Sequence, residues 1–390
     1  MKDDQRDFIT LCISGFFTMM TIGLSFSMTP LYASEFTDSL LFIGFAVSGY
    51  FVIRLFSEIP WGLLSDRIGR RTPMIIGAVL EMIGAILCAT ASSIYQIILG
   101  RIFWGVGSAA YFCTSTSAVA DLYSSEKRGG ALGIFGGIQY MGQAAGAYLS
   151  GYVVMSMGYG SLFYICTALF FVTLILCSTL KLKSTSPKTV TTHTSVKIMD
   201  VLKILVNPVM VGVSAMIFTM MIQNSGLMNS IFPLYLKFEL KMSVIDVGIL
   251  ASFVTIGAAS GNFIGGWLSD KIGRLKVLTL AFIIGSITLF VMSSASVFWI
   301  LAPLACTAGL CYGFVYCVAP VLVAESFPST IRGLAIGTYR TSFDIGGLLG
   351  PFATAMIASS FNNQATFYFV SILLFLNMFV VFYLRKKKQP

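Results

Sequence analysis

The sequence predicts an all-α membrane protein, with twelve transmembrane helices arranged as two pseudo-symmetric bundles of six. Three observations lead there: the composition, the spacing of the apolar runs, and a repeat that carries the first half onto the second. Of 390 residues, 56% are apolar and 11% charged, and the mean hydropathy is +0.86. A water-soluble globule is excluded by those values. Each membrane helix needs about 20 apolar residues, so twelve need about 240 and leave loops averaging around a dozen. The 37 glycines suit helices packed at close backbone approach. A barrel would instead show alternating segments of about ten residues.

Apolar runs between charged or turn-rich breaks place spans at 9–33, 41–64, 73–92, 95–119, 130–155 and 160–180. A second set follows at 205–236, 243–266, 276–294, 297–322, 333–359 and 364–384. Between them, Lys181 to Lys203 is rich in Lys, Ser and Thr, contains Ser186-Pro187, and is too polar to enter lipid. The expected organisation is therefore a bundle over 1–180, a cytoplasmic linker over 181–203 and a bundle over 204–390.

With both termini in the cytoplasm, 20 Lys and Arg residues fall on inside segments and only Lys237 and Lys241 on outside loops. That bias sets the expected orientation in a plasma membrane. It also accounts for the net charge of +9 as topology and attraction to anionic headgroups, not as nucleic-acid binding. All eight cysteines lie in apolar runs without CxxC spacing and read as packing residues. The only histidine, His193, sits in the linker, so no histidine metal centre or intramembrane histidine relay is expected. No cleavable signal peptide is expected either, because the first apolar run is too long and lacks a small-residue cleavage site.

The halves repeat. A shift of 204 carries Gly62-Leu63-Leu64-Ser65-Asp66-Arg67-Ile68-Gly69-Arg70 onto Gly266-Trp267-Leu268-Ser269-Asp270-Lys271-Ile272-Gly273-Arg274. The same shift pairs Gly105 with Gly309, Asp121 with Glu325, Gly142 with Gly346 and Gly146 with Gly350. Pro30-Leu31-Tyr32 meets Pro233-Leu234-Tyr235 after one residue of slippage. Two parallel six-span repeats suit alternating access. In each copy the glycines permit a tight reversal. The carboxylate of Asp66 is expected to cap the start of span 11, with Arg70 pairing to Asp121; Asp270, Arg274 and Glu325 are expected in mirrored roles. A plain positive-inside turn is the alternative.

Six ionisable residues fall inside spans: Arg54 and Glu58 in span 2, Glu81 in span 3, Arg101 in span 4, Arg340 and Asp344 in span 11. At roughly 3 kcal/mol each, six unpaired charges would cost on the order of 18 kcal/mol, so pairing is expected. At about 1.5 Å per residue, Glu58 and Arg340 lie about 9 to 10 Å deep, and Arg54 and Asp344 about 15 to 16 Å. Two arrangements satisfy them: pairs between the halves, Arg54 with Asp344 and Glu58 with Arg340, or i, i+4 pairs inside each helix. Protonation of Glu58 or Asp344 would weaken such locks and offers a route for coupling to a proton gradient. Glu81, about 12 Å deep, is expected either to share Arg54 from the adjacent span or to be a protonated carboxyl, and is the third proton-coupling candidate. Arg101 has no evident partner; an anionic substrate, a coupling carboxyl, or backbone carbonyls would satisfy it.

The Gly62-x-Leu64-Ser65-Asp66-Arg67-x-Gly69-Arg70-Arg71 loop, recurring after span 8, resembles the signature loop of the major facilitator superfamily, and the resemblance covers essentially the whole chain. Arg101-x-x-x-Gly105-x-Gly107 is similar to a second family motif, and Pro30 with Tyr32 resembles span 1 of the drug/proton antiporter branch. The span-5 Gly-Pro of that branch is absent; Gly146-Ala147-Tyr148-Leu149-Ser150-Gly151 stands there, and Gly350-Pro351 lies in span 11. The resemblance implies that spans 1, 4, 7 and 10 line a cavity. Candidate substrate contacts are then Arg101, Tyr111, Gln223, Asn224, Asn229, Tyr312 and Tyr316, and Arg54 and Arg340 join the loop residues as gates. Asn224-Ser225-Gly226 is placed to interrupt span 7. The expected function is secondary transport of a small organic solute, coupled to protons, with drug-like efflux first and proton-linked import of a sugar or organic anion second. A monomer is expected. No cofactor is implied, since no GxxxxGK[ST] loop is present, and no catalytic constellation suggests an enzyme.

Overall fold

A computed structural model describes residues 2–182, 204–327 and 332–388. The expected linker, apart from Lys181 and Leu182, lies outside the described residues, as does His193. Among the described residues every element is helical. The chain divides into two compact units, Met1–Thr191 with Lys241–Ser252, and Thr192–Leu240 with Phe253–Pro390.

In the first unit, α1 covers Lys2–Phe26, and the run expected to continue to residue 33 turns at Ser27 and Met28 before a short α2, Thr29–Ala33. Pro30 fits the break: it has no N–H to donate, and it stands in the first turn of α2, where none is needed. Helix α3 (Leu40–Ile68) stops at Gly69, whose φ of 86° few other residues adopt. Helix α4 is Arg71–Ala89, and α5 is Ile94–Leu122, whose Ser93 hydroxyl accepts the Gln96 amide at its N-terminus.

Spans 5 and 6 form one 55-residue helix, α6, Ser125–Thr179. Straight, it would run about 80 Å, far beyond a hydrocarbon core of about 30 Å. It does not run straight. Gly158 has φ 81° and ψ 170°, and the two arms pack on α1 in opposite senses. Phe16 and Met20 meet Gly142 and Gly146 in ascending order, whereas Thr18 faces Thr173 and Thr21 faces Cys166 in descending order.

In the second unit, α7 (Pro208–Met221) begins with the Asn207 side chain accepting the Val209 amide at 2.9 Å. Span 7 is not interrupted at Asn224-Ser225-Gly226; its winding widens. Residues Ile222–Ile231 form a π-helix, Phe232–Leu234 one α turn, and Tyr235–Glu239 a second π segment. Helix α8 (Val244–Ile272), capped reciprocally by Ser243 and Asp246, has its first residues, through Ser252, grouped with the first unit and the rest with the second; α9 (Arg274–Met292) follows after Gly273 at φ 97°. Helices α10 (Phe298–Ser326), α11 (Arg332–Ser360) and α12 (Asn363–Lys388) complete it. Ten described segments are long and apolar enough to cross a membrane. Because α6 turns at Gly158 it crosses twice, and the 29-residue α11 makes the twelfth span.

The repeat in sequence is a repeat in packing. A Cβ on Gly105 would sit 2.2 Å from the Tyr50 carbonyl oxygen, and one on Gly309 would sit 1.9 Å from that of Val254. Gly142 lies against the backbone of Phe16, and Gly346 against Phe218. In unit 1, Gly77, Gly84, Gly100 and Gly107 add an α4–α5 seam with hypothetical Cβ contacts of 2.4 to 2.8 Å. Lipid is as apolar as leucine, so such close van der Waals contact, and not water release, holds membrane helices together.

Candidate functional site

The duplicated loops build the same device twice. Arg70, at the start of α4, donates from Nε to Asp121 at 3.0 Å, from Nη1 to the Ser65 hydroxyl at 2.7 Å, and meets Asp66 at 2.5 Å. Arg274 donates to Glu325 at 3.2 Å, to Ser269 and to Asp270. One guanidinium fork therefore ties the end of α3 or α8, the next helix, and the end of α5 or α10. Gly62 and Gly266 face Cys113 and Cys317 in matching fashion; an added Cβ would stand 3.4 and 3.5 Å from those sulfurs, ordinary contact distances. Glu325 is 46% exposed. Solvent screening of such a pair makes Glu325→Gln worth about 1 kcal/mol or less in thermal stability. A much larger loss in a melting curve would contradict this account of the loop.

The interior of unit 1 holds four of the intramembrane ionisable residues. On α3, Arg54 donates to Glu58 at 2.6 Å and to the Tyr50 hydroxyl at 3.3 Å, and Tyr50 in turn bonds Ser108 of α5. This is the i, i+4 pairing available on one helix face. Arg101 is 0% exposed. Its guanidinium carbon stands 4.5 Å from the Phe26 ring centre, 5.2 Å from Trp104 and 5.3 Å from Tyr50, and Nη1 reaches Ser25 Oγ at 3.3 Å.

Glu81 is also 0% exposed. It packs on Gly107, where a Cβ would lie 2.7 Å from Glu81 Cγ, and neither of its oxygens has a hydrogen-bond partner among the described residues. Tyr111 is enclosed with Leu11, Met74 and Phe135, its hydroxyl 2.7 Å from Ser14 Oγ.

Unit 2 gathers the span-7 and span-10 candidates. Residues five apart share one face of a π-helix, and Asn229 accordingly donates to the Asn224 carbonyl at 2.9 Å and to its side chain at 3.2 Å. Buried Gln223 donates to the Ala308 carbonyl of α10 at 3.2 Å, and its Oε1 has no partner among the described residues. Ser225 donates to the Gly347 carbonyl, and Thr354 to that of Gly226, which ties the π segment to α11. Tyr312 stacks on Tyr316 at 5.8 Å, Tyr316 meets Phe343 at 5.9 Å, and the Tyr312 hydroxyl lies 3.9 Å from Met221 Sδ. Tyr316 is 36% exposed, so this aromatic and thioether cluster is open on one side. On α11, Asp344 is 3% exposed and Arg340 is exposed.

Sequence reasoning missed Tyr50, Ser25, Phe26, Trp104, Met221 and Phe343. Tyr50 and Trp104 were within reach, one turn from Arg54 and Arg101 on their own helices. Phe26 and Phe343 arrive from other helices and carry no local signal.

A duplicated six-helix unit, with a charge-pinned loop at the same place in each copy, defines a polytopic membrane transporter. The chain belongs to the Major Facilitator Superfamily, whose model matches residues 11–229 and again 213–390. It is 26% identical to multidrug resistance protein MdtG of Proteus mirabilis, over 93% of this chain and 92% of that protein. It is 27% identical to the MdtG of Escherichia fergusonii, over 99% and 96%. Solved structures with the same fold include a bacterial homologue of the human lysosomal transporter Spinster in an inward-facing, unoccupied conformation, at TM-score 0.81, 15% identity, and 97% and 96% coverage. A mutant of the nucleoside transporter NupG aligns at TM-score 0.80 and 15% identity, over 97% and 99%. The family and these relatives are transporters, not enzymes, and the chain is a secondary transporter embedded in a membrane and moving a small molecule.

Proposed function

We propose that this protein expels amphiphilic, drug-like organic molecules from the cell in exchange for protons. The observation that carries the reading is the near full-length relationship to proteins named for multidrug resistance. The open cluster of Tyr312, Tyr316, Phe343 and Met221 supports it, because aromatic faces and a polarizable thioether accept apolar and cationic ligands of many shapes. Gln223, Asn224 and Asn229 supply polar atoms for orientation.

The protein works as a monomer in the plasma membrane with both termini cytoplasmic. It consists of two bundles, 1–180 and 204–390, joined by a linker over 181–203, and works by alternating access. Glu58, Glu81 and Asp344 carry the protons; Arg54 and Arg340, with the Asp66, Arg70, Asp121 cluster and the Asp270, Arg274, Glu325 cluster, gate the inner side. Arg101 and Tyr111, substrate-contact candidates from the sequence, are both fully buried within the first bundle.

Purified protein in proteoliposomes with an imposed pH gradient tests this across lipophilic cations, sugars and carboxylates. A lipophilic cation accumulating against the proton flow is expected; a sugar or carboxylate accumulating along it would replace efflux with import. Tyr316→Ala is expected to cut transport of a lipophilic cation about tenfold, the loss of one cation–π contact of about 1.4 kcal/mol, while Tyr316→Phe retains most of it. Equal rates for both variants in that flux assay would remove Tyr316 from the binding surface.

A further inference from the structure

Helices α9 and α12 of the second unit lie side by side and antiparallel. Phe290 meets Tyr368 at 5.5 Å, Ser286 and Ser371 exchange hydrogen bonds at 3.0 and 2.8 Å, and Gly285 faces Leu374, so one helix descends as the other climbs. The beginning of α9 and the end of α12 therefore share one side of the membrane. At 19 residues, α9 is about 28 Å long and just spans a hydrocarbon core of about 30 Å. Its third residue, Lys276, is left at headgroup level. Counted from the serine pair, Lys276 is about 15 Å away along α9, and Arg385 and Lys386 are about 21 to 22 Å away along α12. The three cations thus fall within about 7 Å of one another in depth, little more than one helical turn.

They also face one groove. Phe290 is 14 residues from Lys276, and Tyr368 is 18 residues from Lys386. At 3.6 residues per turn these separations are close to four and five whole turns, so each lysine shares a helix face with one ring of the touching pair. Between the lysines and those rings the faces are apolar: Leu280 and Ile284 on α9, and Phe382, Phe379 and Phe375 on α12, each 39 to 55% exposed. Lys276, Arg385 and Lys386 are exposed, and none is in an ion pair among the described residues. Neither helix contains an acidic residue. Arg274, the other cation of α9, is already held by Asp270 and Glu325.

A zwitterionic lipid brings its own cation to such a place, and a free phosphate leaves the apolar faces uncovered. A lipid of net negative charge matches both, because basic recesses between membrane helices attract anionic headgroups while long side chains reach up to meet them. We propose that the α9–α12 groove binds an anionic phospholipid on the side of the membrane where α12 ends. Its phosphate sits between Lys276 and the Arg385–Lys386 pair, and its acyl chains run along Leu280, Phe375 and Phe379. The site stands whichever solute is carried, and its test reads no transport.

The full chain in detergent is given equal amounts of phosphatidylglycerol and phosphatidylcholine with identical acyl chains, and the lipid it retains is counted by native mass spectrometry. Wild type is expected to favour phosphatidylglycerol by roughly tenfold or more. Lys276→Gln and Lys386→Gln are each expected to lower that preference about fivefold, the effect of one cation near an anionic headgroup. Arg67→Gln removes the same charge from another exposed loop position and is expected to leave the preference unchanged. Glycerol phosphate, which has the headgroup chemistry without the chains, is expected not to compete. Equal retention of both lipids by wild type would overturn the site. So would a preference lowered as much by Arg67→Gln as by Lys276→Gln, or displacement of the lipid by glycerol phosphate.

Discussion

Valine at Gly309 is expected to abolish recovery of folded protein. Its Cβ would stand 1.9 Å from the Val254 carbonyl oxygen and 3.0 Å from the Ala258 amide nitrogen, so the obstruction is backbone on both counts. Overpacking a core by moving side chains costs about 1 to 3 kcal/mol. Here two helices must part along a seam, and the expected cost exceeds about 4 kcal/mol. Gly105→Val, at the matching place in the first unit, meets the Tyr50 carbonyl at 2.2 Å and should fail in the same way. Gly133→Ala is the control: nothing lies within 4 Å of its Cβ, and alanine gains about 1 kcal/mol in a helix interior. Size-exclusion profiles and melting points of the three variants decide it. A monodisperse Gly309→Val with wild-type Tm would show that the seam is not tight.

The second large effect is expected at Glu81. Its carboxyl is enclosed on the α4–α5 seam with neither oxygen hydrogen-bonded among the described residues, so an uncharged amide of the same shape fits the same space. Glu81→Gln should fold to within about 1 kcal/mol of wild type. Glu81→Lys places a cation there without a counter-charge, a penalty of several kcal/mol, and should not yield folded protein. If Glu81 carries protons as proposed, Glu81→Gln in proteoliposomes loses its response to the pH gradient while still equilibrating substrate. A Glu81→Gln protein that concentrates substrate as wild type does would assign proton coupling elsewhere.

Much of this architecture was legible because its causes are local or periodic. Long apolar runs need no partner to be recognised, and the reversal at Gly69 and Gly273 is written in residues that tolerate positive φ. The Arg70 and Arg274 clusters could be anticipated because the repeat places Asp121 and Glu325 at one spacing from both loops. What stayed hidden depends on contacts between distant segments or on backbone register. The π winding of span 7 changes which carbonyl each amide reaches and leaves no mark in composition; the nearest hint, Asn224-Ser225-Gly226, suggested a break instead. Gly158 looked like an ordinary gap between spans, though helical bonding continues up to it and beyond. For Arg54, depth and spacing supported two kinds of partner equally, and the in-helix contact with Glu58 emerges only from side-chain geometry. The ring cage around Arg101 draws Phe26 and Tyr50 from two other helices, which no window along the chain could reveal.

The glycine seams have a thermal consequence. Heat-capacity changes on unfolding arise mainly from hydration of newly exposed surface, and helices that separate within a bilayer meet acyl chains instead of water. Cohesion inside each bundle should therefore vary little between a chilled and a warm cell, leaving membrane fluidity as the main route by which climate reaches this protein.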